Sequence, residues 1–504
     1  MSLSAAQYHQ KTSYFRLRMD GQALDWPAQP NVYKTYPGPE PVRLSREPRL
    51  PEKSLADLLQ QEPEANPQSK ITADDLSALF RLTYSLTAKA RHPGGDFFYR
   101  SAASAGALYP TEIYAALTGI DGLEDGLYHF SIAHHGLIRI RSGAGPPFWG
   151  TDRSEPSAVG PGLVFFLTAI FFRSSWKYRD RAFRYHLLDT GHVLEHLVLA
   201  LKALSLPYRL TFDFEDRGIG RLLGLDEKQE VPLALCLVNT PEVLSDFTAV
   251  PGLEPLSPAF QQAGRVSGRE VDYPLIREAY QAGGAPKREG PAGFDLARRL
   301  GPEPSSWVRL SDPVQAKEKT TLAQAIFSRR SRRNYVAVSL PRESWQALWA
   351  ALAWSEEQEQ PLGVQPHQVL SIGCLADRVE GIPPGFYLLE WRSKSIGLGA
   401  SGSFTRPMAG VCLDQAWLAQ APVHFCFLTN LRLLDDQWGP RGYRYALMQA
   451  GRLGERLYLT ATTLGLGCCG IGAFYDQEAA DLLGLNHDSR LLYLVAVGPV
   501  KSVK

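Results

Sequence analysis

Arg329, Arg330, Ser331 and Arg333 put three guanidinium groups and a hydroxyl within five positions. Guanidinium forks match phosphate oxygens two at a time and a hydroxyl adds another donor, so this cluster suits a phosphate monoester of about two negative charges. Later in the chain, Leu464-Gly-Leu-Gly-Cys-Cys-Gly-Ile-Gly-Ala-Phe474 leaves the backbone bare at Gly467, Gly470 and Gly472. A bare main chain can lie against a flat ring and aim amides at its polar atoms. Part of that string fits GxGxxG, but it follows a helical pattern rather than a strand, which argues against a dinucleotide fold. His192-Val-Leu-Glu195-His196 spaces two imidazoles as metal hydrolases do. The six cysteines (Cys236, Cys374, Cys412, Cys426, Cys468 and Cys469) form no CxxC and read as scattered thiols of a reducing compartment, with the cytoplasm as default. Cys468 and Cys469 either line a ring or fill space, and filling space is favoured.

The elements that must position these groups emerge from a repeat. Arg181-Ala-Phe-Arg-Tyr-His-Leu-Leu-Asp-Thr-Gly191 aligns with Arg441-Gly-Tyr-Arg-Tyr-Ala-Leu-Met-Gln-Ala-Gly451 at an offset of 260 residues. The same offset carries Leu222-Leu-Gly-Leu225 onto Leu482-Leu-Gly-Leu485 and Phe214-Glu-Asp216 onto Phe474-Tyr-Asp476. The 504 residues, room for two to four domains of about 100–200 residues each, thus read as two diverged copies of one unit. Residues 1–53 form a Pro-rich lead-in, 54–249 the first copy, 250–318 a linker and 319–504 the second copy. Each copy reads as helices, a strand-rich middle, a long helix and a closing strand. In the first copy the helix runs from Tyr185 to Leu204, and Pro207 stops it. The closing strands, Pro232–Val238 and Leu491–Val497, are continuous apolar runs suited to a sheet covered on both faces. The HxxEH helix aligns with Arg452-Leu-Gly-Glu455-Arg456, where no ligand survives, so packing or interface hydrogen bonding is expected in place of a metal. With 53 Lys+Arg against 52 Asp+Glu there is no basic surplus for nucleic acid. No secretory signal opens the chain, and the longest apolar run, Gly162 to Phe172, is too short for a membrane span and reads as a buried strand.

The paired motifs Arg329-Arg-Ser-Arg-Arg333-Asn-Tyr335 and Gly470-Ile-Gly-Ala-Phe474 resemble those of the flavin-dependent nitroreductase family. Ser101-Ala-Ala-Ser104-Ala-Gly106-Ala-Leu-Tyr-Pro110 and Lys177-Tyr178 are similar to its SagB/ThcOx branch, FMN-dependent dehydrogenases that oxidise thiazolines and oxazolines to azoles in peptides. The resemblance implies an α+β fold: two tandem nitroreductase-like α/β sandwich domains forming an internal pseudo-dimer. It implies that Arg329, Arg330, Ser331 and Arg333 grip the FMN phosphate, that Cys469, Gly470, Ile471 and Gly472 lie along the ring, and that Ser104, Ala105, Gly106 and Ala107 supply the partner loop. Only the second copy keeps the first two elements and only the first keeps the loop. In the second copy the loop equivalent is Pro361-Leu-Gly-Val-Gln-Pro366; in the first, the arginine equivalent falls near Glu62-Pro-Glu64 and the glycine equivalent is Leu210-Thr-Phe212. One composite FMN site per chain is therefore expected, with its mirror-related site decayed. Lys177 would be the base and Tyr178 its neighbour, whereas the second copy has Gln437-Trp438. The expected substrate is a small molecule or a modified peptide, with a cyclodehydratase as candidate partner and no segment reading as a leader-peptide domain. Two other functions remain open: an NAD(P)H-dependent reductase of small acceptors, or a flavin-binding scaffold without catalysis.

Overall fold

Runs of β-branched and aromatic residues bounded by turn formers become two seven-stranded sheets in the computed structural model. It describes residues 3–501 apart from 20, 22, 39, 61–69, 93–94, 144–161, 239–252, 285–295, 311–319 and 354–363. In the first copy the strands are β1 (Val42–Arg43), β2 (Leu86–His92), β3 (Gly95–Arg100), β4 (Thr111–Thr118), β5 (Gly126–Ser131), β6 (Gly136–Ser142), β7 (Gly162–Ile170), β8 (Tyr208–Thr211) and β9 (Glu230–Val238). The second copy adds β10 (Trp307–Arg309), β11 (Ser371–Ala376), β12 (Gly385–Glu390), β13 (Ser395–Ser401), β14 (Val423–Asn430), β15 (Gly467–Ile471) and β16 (Ser489–Gly498). β2 and β3 form a separate hairpin. The sheets run β1-β6-β5-β4-β7-β9-β8 and β10-β13-β12-β11-β14-β16-β15, the same order strand for strand. The fold is α+β, two tandem units with the same sheet order.

Every residue of β7 and β9 is buried, as expected of central strands covered on both faces. One face of each sheet turns to a shared core that contains both long helices, Ala182–Ala203 and Gly442–Thr463. The other face carries its own apolar layer, with Phe214, Ile219 and Leu222 over the first sheet and Met408, Leu418 and Leu483 over the second. The apolar run from Gly162 behaves as strand only to Ile170; Phe171 and Phe172 open the helix Phe171–Tyr178. The long helix starts at Ala182, three residues before Tyr185. Within the expected lead-in, β1 pairs with β6, and within the expected linker β10 pairs with β13, so both proline-rich stretches supply an edge strand. The linker also holds the helix Pro274–Ala282. Residues Glu62–Glu64 and 361–363 lie outside the described residues.

The two copies are joined by a reciprocal set of contacts at the same offset of 260. Gly191 and Gly451 meet where the long helices cross, and a Cβ on Gly191 would lie 2.9 Å from Gly451 Cα. Arg181 and Arg184 bind Asp476, while Arg441 and Arg444 bind Asp216. Glu195 takes Arg452 and Arg456 of the second helix, and Glu455 takes His192 and His196 of the first. All of these ionic side chains are buried. The recurrence of each contact between the counterparts of its two residues is the signature of a two-fold interface, here closed within one chain.

Candidate functional site

The helix Leu322–Ser328, opened by a capping box at Thr321, ends where the arginine cluster begins, and the extended chain beyond it runs beside β15. Ser331 bridges to Cys468, and the Arg332 N–H donates to the Cys468 carbonyl at 2.9 Å. Two motifs more than a hundred positions apart thereby lie side by side. An extended chain points alternate side chains to opposite sides. Ser331 and Arg333 line a cavity of about 160 Å³. Arg330 turns the other way, donating to the Thr87 carbonyl at 2.8 Å, so it does not join the lining as the motif implied. Arg329 sits behind the wall: its Nε donates to the Ser101 carbonyl at 2.5 Å and lies 3.6 Å from Glu455, while its buried Nη1 has no hydrogen-bond partner among the described residues.

Cys469, Gly470, Ile471 and Gly472 form a second stretch of the lining. A Cβ on Gly470 would overlap the Tyr493 hydroxyl, and one on Gly472 would come within 2.5 Å of Tyr185 Cε1. The Gly470 N–H donates to the Tyr458 hydroxyl at 2.7 Å, and that hydroxyl shares a further hydrogen bond with Ser331 Oγ at 3.0 Å.

From the first copy come Ser104, Ala105 and Gly106, with Tyr178, Asp189 and His192. Ala107, predicted with this loop, is outside the lining; it holds a left-handed conformation (φ 54°), as do Gly106 and Tyr109. Asp189 fastens the turn, accepting from Ser104 Oγ at 2.6 Å and from the Ala105 N–H at 3.1 Å. Burial pushes its carboxyl up to about 7. Tyr178 comes from the end of the helix Phe171–Tyr178, where its hydroxyl would lie 2.9 Å from a Cβ on Gly106 and Lys177 Nζ 3.4 Å from the same point. Lys177 is at the rim rather than in the lining. Partial desolvation and then the Arg333 guanidinium lower its pKa. The next residue, Arg179, is left-handed (φ 50°) where the second copy has Gly439 (φ 60°), so backbone strain is stored beside the pair.

His192 and His196 both bond Glu455, so the HxxEH spacing serves the helix interface. Asp189, Tyr185, Tyr458 and Tyr493 are lining residues that motif reading passed over, and His192, singled out only for its metal-like spacing, lines the cavity too. A signal existed for Asp189, an acid inside an apolar helical run where the other copy has Gln449.

Among the described residues, larger side chains stand at the pseudo-symmetry mate of this cavity. Phe212 stands in the place of Gly472 and stacks on Tyr445 with ring centroids 6.2 Å apart. Trp438, in the place of Tyr178, meets the same ring at 5.7 Å. Gln449, in the place of Asp189, donates to the Val364 carbonyl. At the composite cavity, by contrast, the Arg333 guanidinium, the Ser331 hydroxyl and the glycines of the wall fit a flat ring that carries a phosphate, with the unpartnered Arg329 nitrogen behind them.

Comparison with known proteins agrees with this architecture. The sequence model of the nitroreductase family matches residues 65–238 and again 326–499. A nitroreductase-assigned protein of Methanocaldococcus jannaschii is 30% identical over 178 residues, 35% of this chain and 90% of that protein. The trifolitoxin-processing protein TfxB of Rhizobium leguminosarum bv. trifolii is 31% identical over 159 residues, 29% of this chain; only 41% of TfxB is spanned. A crystal structure from Anabaena variabilis, assigned as a nitroreductase, superposes with a TM-score of 0.73 at 24% identity, covering 99% of this chain and 100% of its own. The two-copy arrangement is therefore a shared fold.

Proposed function

Because the chain belongs to the nitroreductase family and carries that unit twice, we propose that it is an FMN-dependent oxidoreductase of the SagB type with one composite flavin site, oxidising azoline rings to azoles in a modified peptide. The observation that carries this reading is the meeting of Tyr178 from one copy with Ser331, Arg333 and Gly470 from the other around a single cavity, with Lys177 Nζ beside Gly106 of its lining. Arg329, Ser331 and Arg333 would hold the FMN phosphate, and Gly470 and Gly472 would admit its ring. Bound there, FMN supplies the two-electron acceptor.

Turning an azoline into an azole removes a hydride from one ring carbon and a proton from its neighbour, so the chain itself must supply a base. Lys177 fits, since an ammonium ion destabilised by desolvation and by Arg333 gives up its proton more readily. Tyr178 is held in its neutral form by burial and by Asp189, and so offers an O–H donor that orients the ring. Asp189 keeps the loop turned toward the cavity. The printed role of TfxB, processing of trifolitoxin, supports a peptide substrate, and a cyclodehydratase would be the enzyme that makes the azoline. No helix among the described residues is long and apolar enough to cross a membrane, in keeping with the proposed cytoplasmic setting.

A second reading, reduction of small acceptors with NAD(P)H, draws on the nitroreductase assignment of the M. jannaschii relative. Purified protein separates the two. On the first reading it binds one FMN per chain, oxidises a thiazoline peptide without NAD(P)H and loses at least about a hundredfold in rate in Lys177→Ala. Rapid bleaching by NAD(P)H with no peptide oxidation favours the second. A flavin ratio near two per chain would refute the decayed mate, and protein that takes up no FMN would leave a scaffold.

A further inference from the structure

The wall of the cavity contains titratable groups that the proposed oxidation leaves unused. His192, from the first long helix, stands between two side chains of the second copy: its Nδ1 faces the Glu455 carboxylate and its Nε2 lies 3.0 Å from the Tyr493 hydroxyl. All three are buried, and His192 and Tyr493 both line the cavity. Although burial opposes ionisation of Glu455, His196 and His192 hold its carboxyl well below the usual range, so it stays an acceptor. In a neutral His192 the hydrogen on Nδ1 points to Glu455, and Nε2 accepts the Tyr493 O–H. Around this row stand His196 and Arg329 on Glu455, the Tyr458 ring 5.7 Å from His192, the Cys468 and Cys469 thiols beside Tyr493, and Asp189 one turn earlier on the helix.

We propose that Tyr493, His192 and Glu455 form a proton relay in the cavity wall, exchanging a proton with a ring nitrogen of the bound flavin as its redox state changes. The inference rests on the reading of the cavity as a flavin site. The Tyr493 oxygen accepts a proton from the ring nitrogen, whose N–H bond breaks. The phenol's original proton passes to His192 Nε2, so Tyr493 remains a neutral phenol and His192 becomes an imidazolium held against the Glu455 carboxylate. Reversal of the same two transfers returns the proton, and no electrons move through the row. Neither copy can assemble it alone, because the imidazole comes from one and the phenol and carboxylate from the other. In the pseudo-symmetry mate, Arg452 occupies the place of His192 and pairs with Glu195. Its guanidinium cannot accept a proton.

The test is the midpoint potential of bound FMN followed across about pH 5 to 9, with FMN affinity and thermal stability measured on the same preparations. Wild-type protein is expected to show a change of slope that Tyr493→Phe and His192→Gln both lose, while FMN affinity stays within about threefold. Lys177→Met is expected to keep the change of slope, separating the relay from the base. Potential curves for folded, FMN-loaded Tyr493→Phe that superpose on wild type overturn the relay while leaving the flavin reading intact. Should His192→Gln fail to fold, Tyr493→Phe decides alone, since it removes a single oxygen. A wild-type chain that binds no FMN overturns both readings.

Discussion

Gly470 lies against the Tyr493 hydroxyl so closely that no side chain fits between them. Gly470→Ala must displace either Tyr493 or β15, and overpacking of this kind costs about 1–3 kcal/mol, so FMN affinity should fall about tenfold or more. A fluorescence titration with affinity unchanged would show that the wall is not where the ring sits. The glycine wall and the arginine cluster were legible in the sequence because each is a short local string whose chemistry follows from its residue types. Which arginines reach the cavity was not: adjacency grouped Arg330 with Ser331 and Arg333, and only the alternation of an extended chain sends it to Thr87. Asp189, Tyr458 and Tyr493 were harder still. They occupy helix and strand positions that read as core, and each acquires its meaning from a residue more than fifty positions away in sequence.

At the scale of elements, the legible part was what periodicity and apolar runs encode. The two long helices, the central strands and the doubled order could be anticipated because each is long enough to repeat its pattern. β1 and β10, two and three residues long within proline-rich stretches, carry too little pattern to be seen, and their strand character comes from pairing with β6 and β13. The turn from strand to helix after Ile170 was hidden for a similar reason, since Phe171 and Phe172 remain apolar and buried on both readings. The crossing of the long helices has a sharper consequence. A Cβ on Gly191 would collide with the Met448 carbonyl, and one on Gly451 with the Leu188 carbonyl. These are backbone contacts that cannot rotate away, so Gly191→Ala should force the helices apart and cost at least about 1–3 kcal/mol, visible as a lower Tm. Gly439→Ala, where the added Cβ meets nothing within 4 Å but the backbone is left-handed, separates the cost of strain from the cost of collision. Equal losses in the two variants would mean that the crossing is not tight.

Across the whole molecule, the interface between the copies is sealed with buried charge and buried histidine, and this ties its stability to pH. His9, in the helix Ala5–Lys11 of the lead-in, reaches 3.2 Å from Asp476, the carboxylate that also holds Arg181 and Arg184. Burial and then the nearby Arg184 drive its pKa down to about 3. Burial likewise takes His186 to about 3 and His424 to about 4, and lowers His135, with help from Arg81, to about 4. In each case the folded value lies below the unfolded value of about 6.5, so the unfolded chain takes up the proton first as the solution is acidified. Stability should therefore be complete above about pH 6.5 and decline through the window down to about 4, at a rate on the order of 1 kcal/mol per pH unit for each such histidine. Asp476 is depressed in the opposite sense: burial resists its ionisation, but Arg181 and then Arg184 hold it ionised far below the ordinary carboxylate range. Its contribution is present above about pH 4 and is lost only at lower pH, adding a second decline beneath the first. Thermal melts at half-unit intervals should show Tm falling already between about pH 6.5 and 5, before carboxylates of ordinary pKa titrate; Asp189, pushed up to about 7, works in the opposite direction and offsets about one histidine's share, and His424→Gln should make that first decline shallower. A Tm that holds level down to pH 4 in the wild-type chain would mean that these imidazoles are not buried as neutral groups.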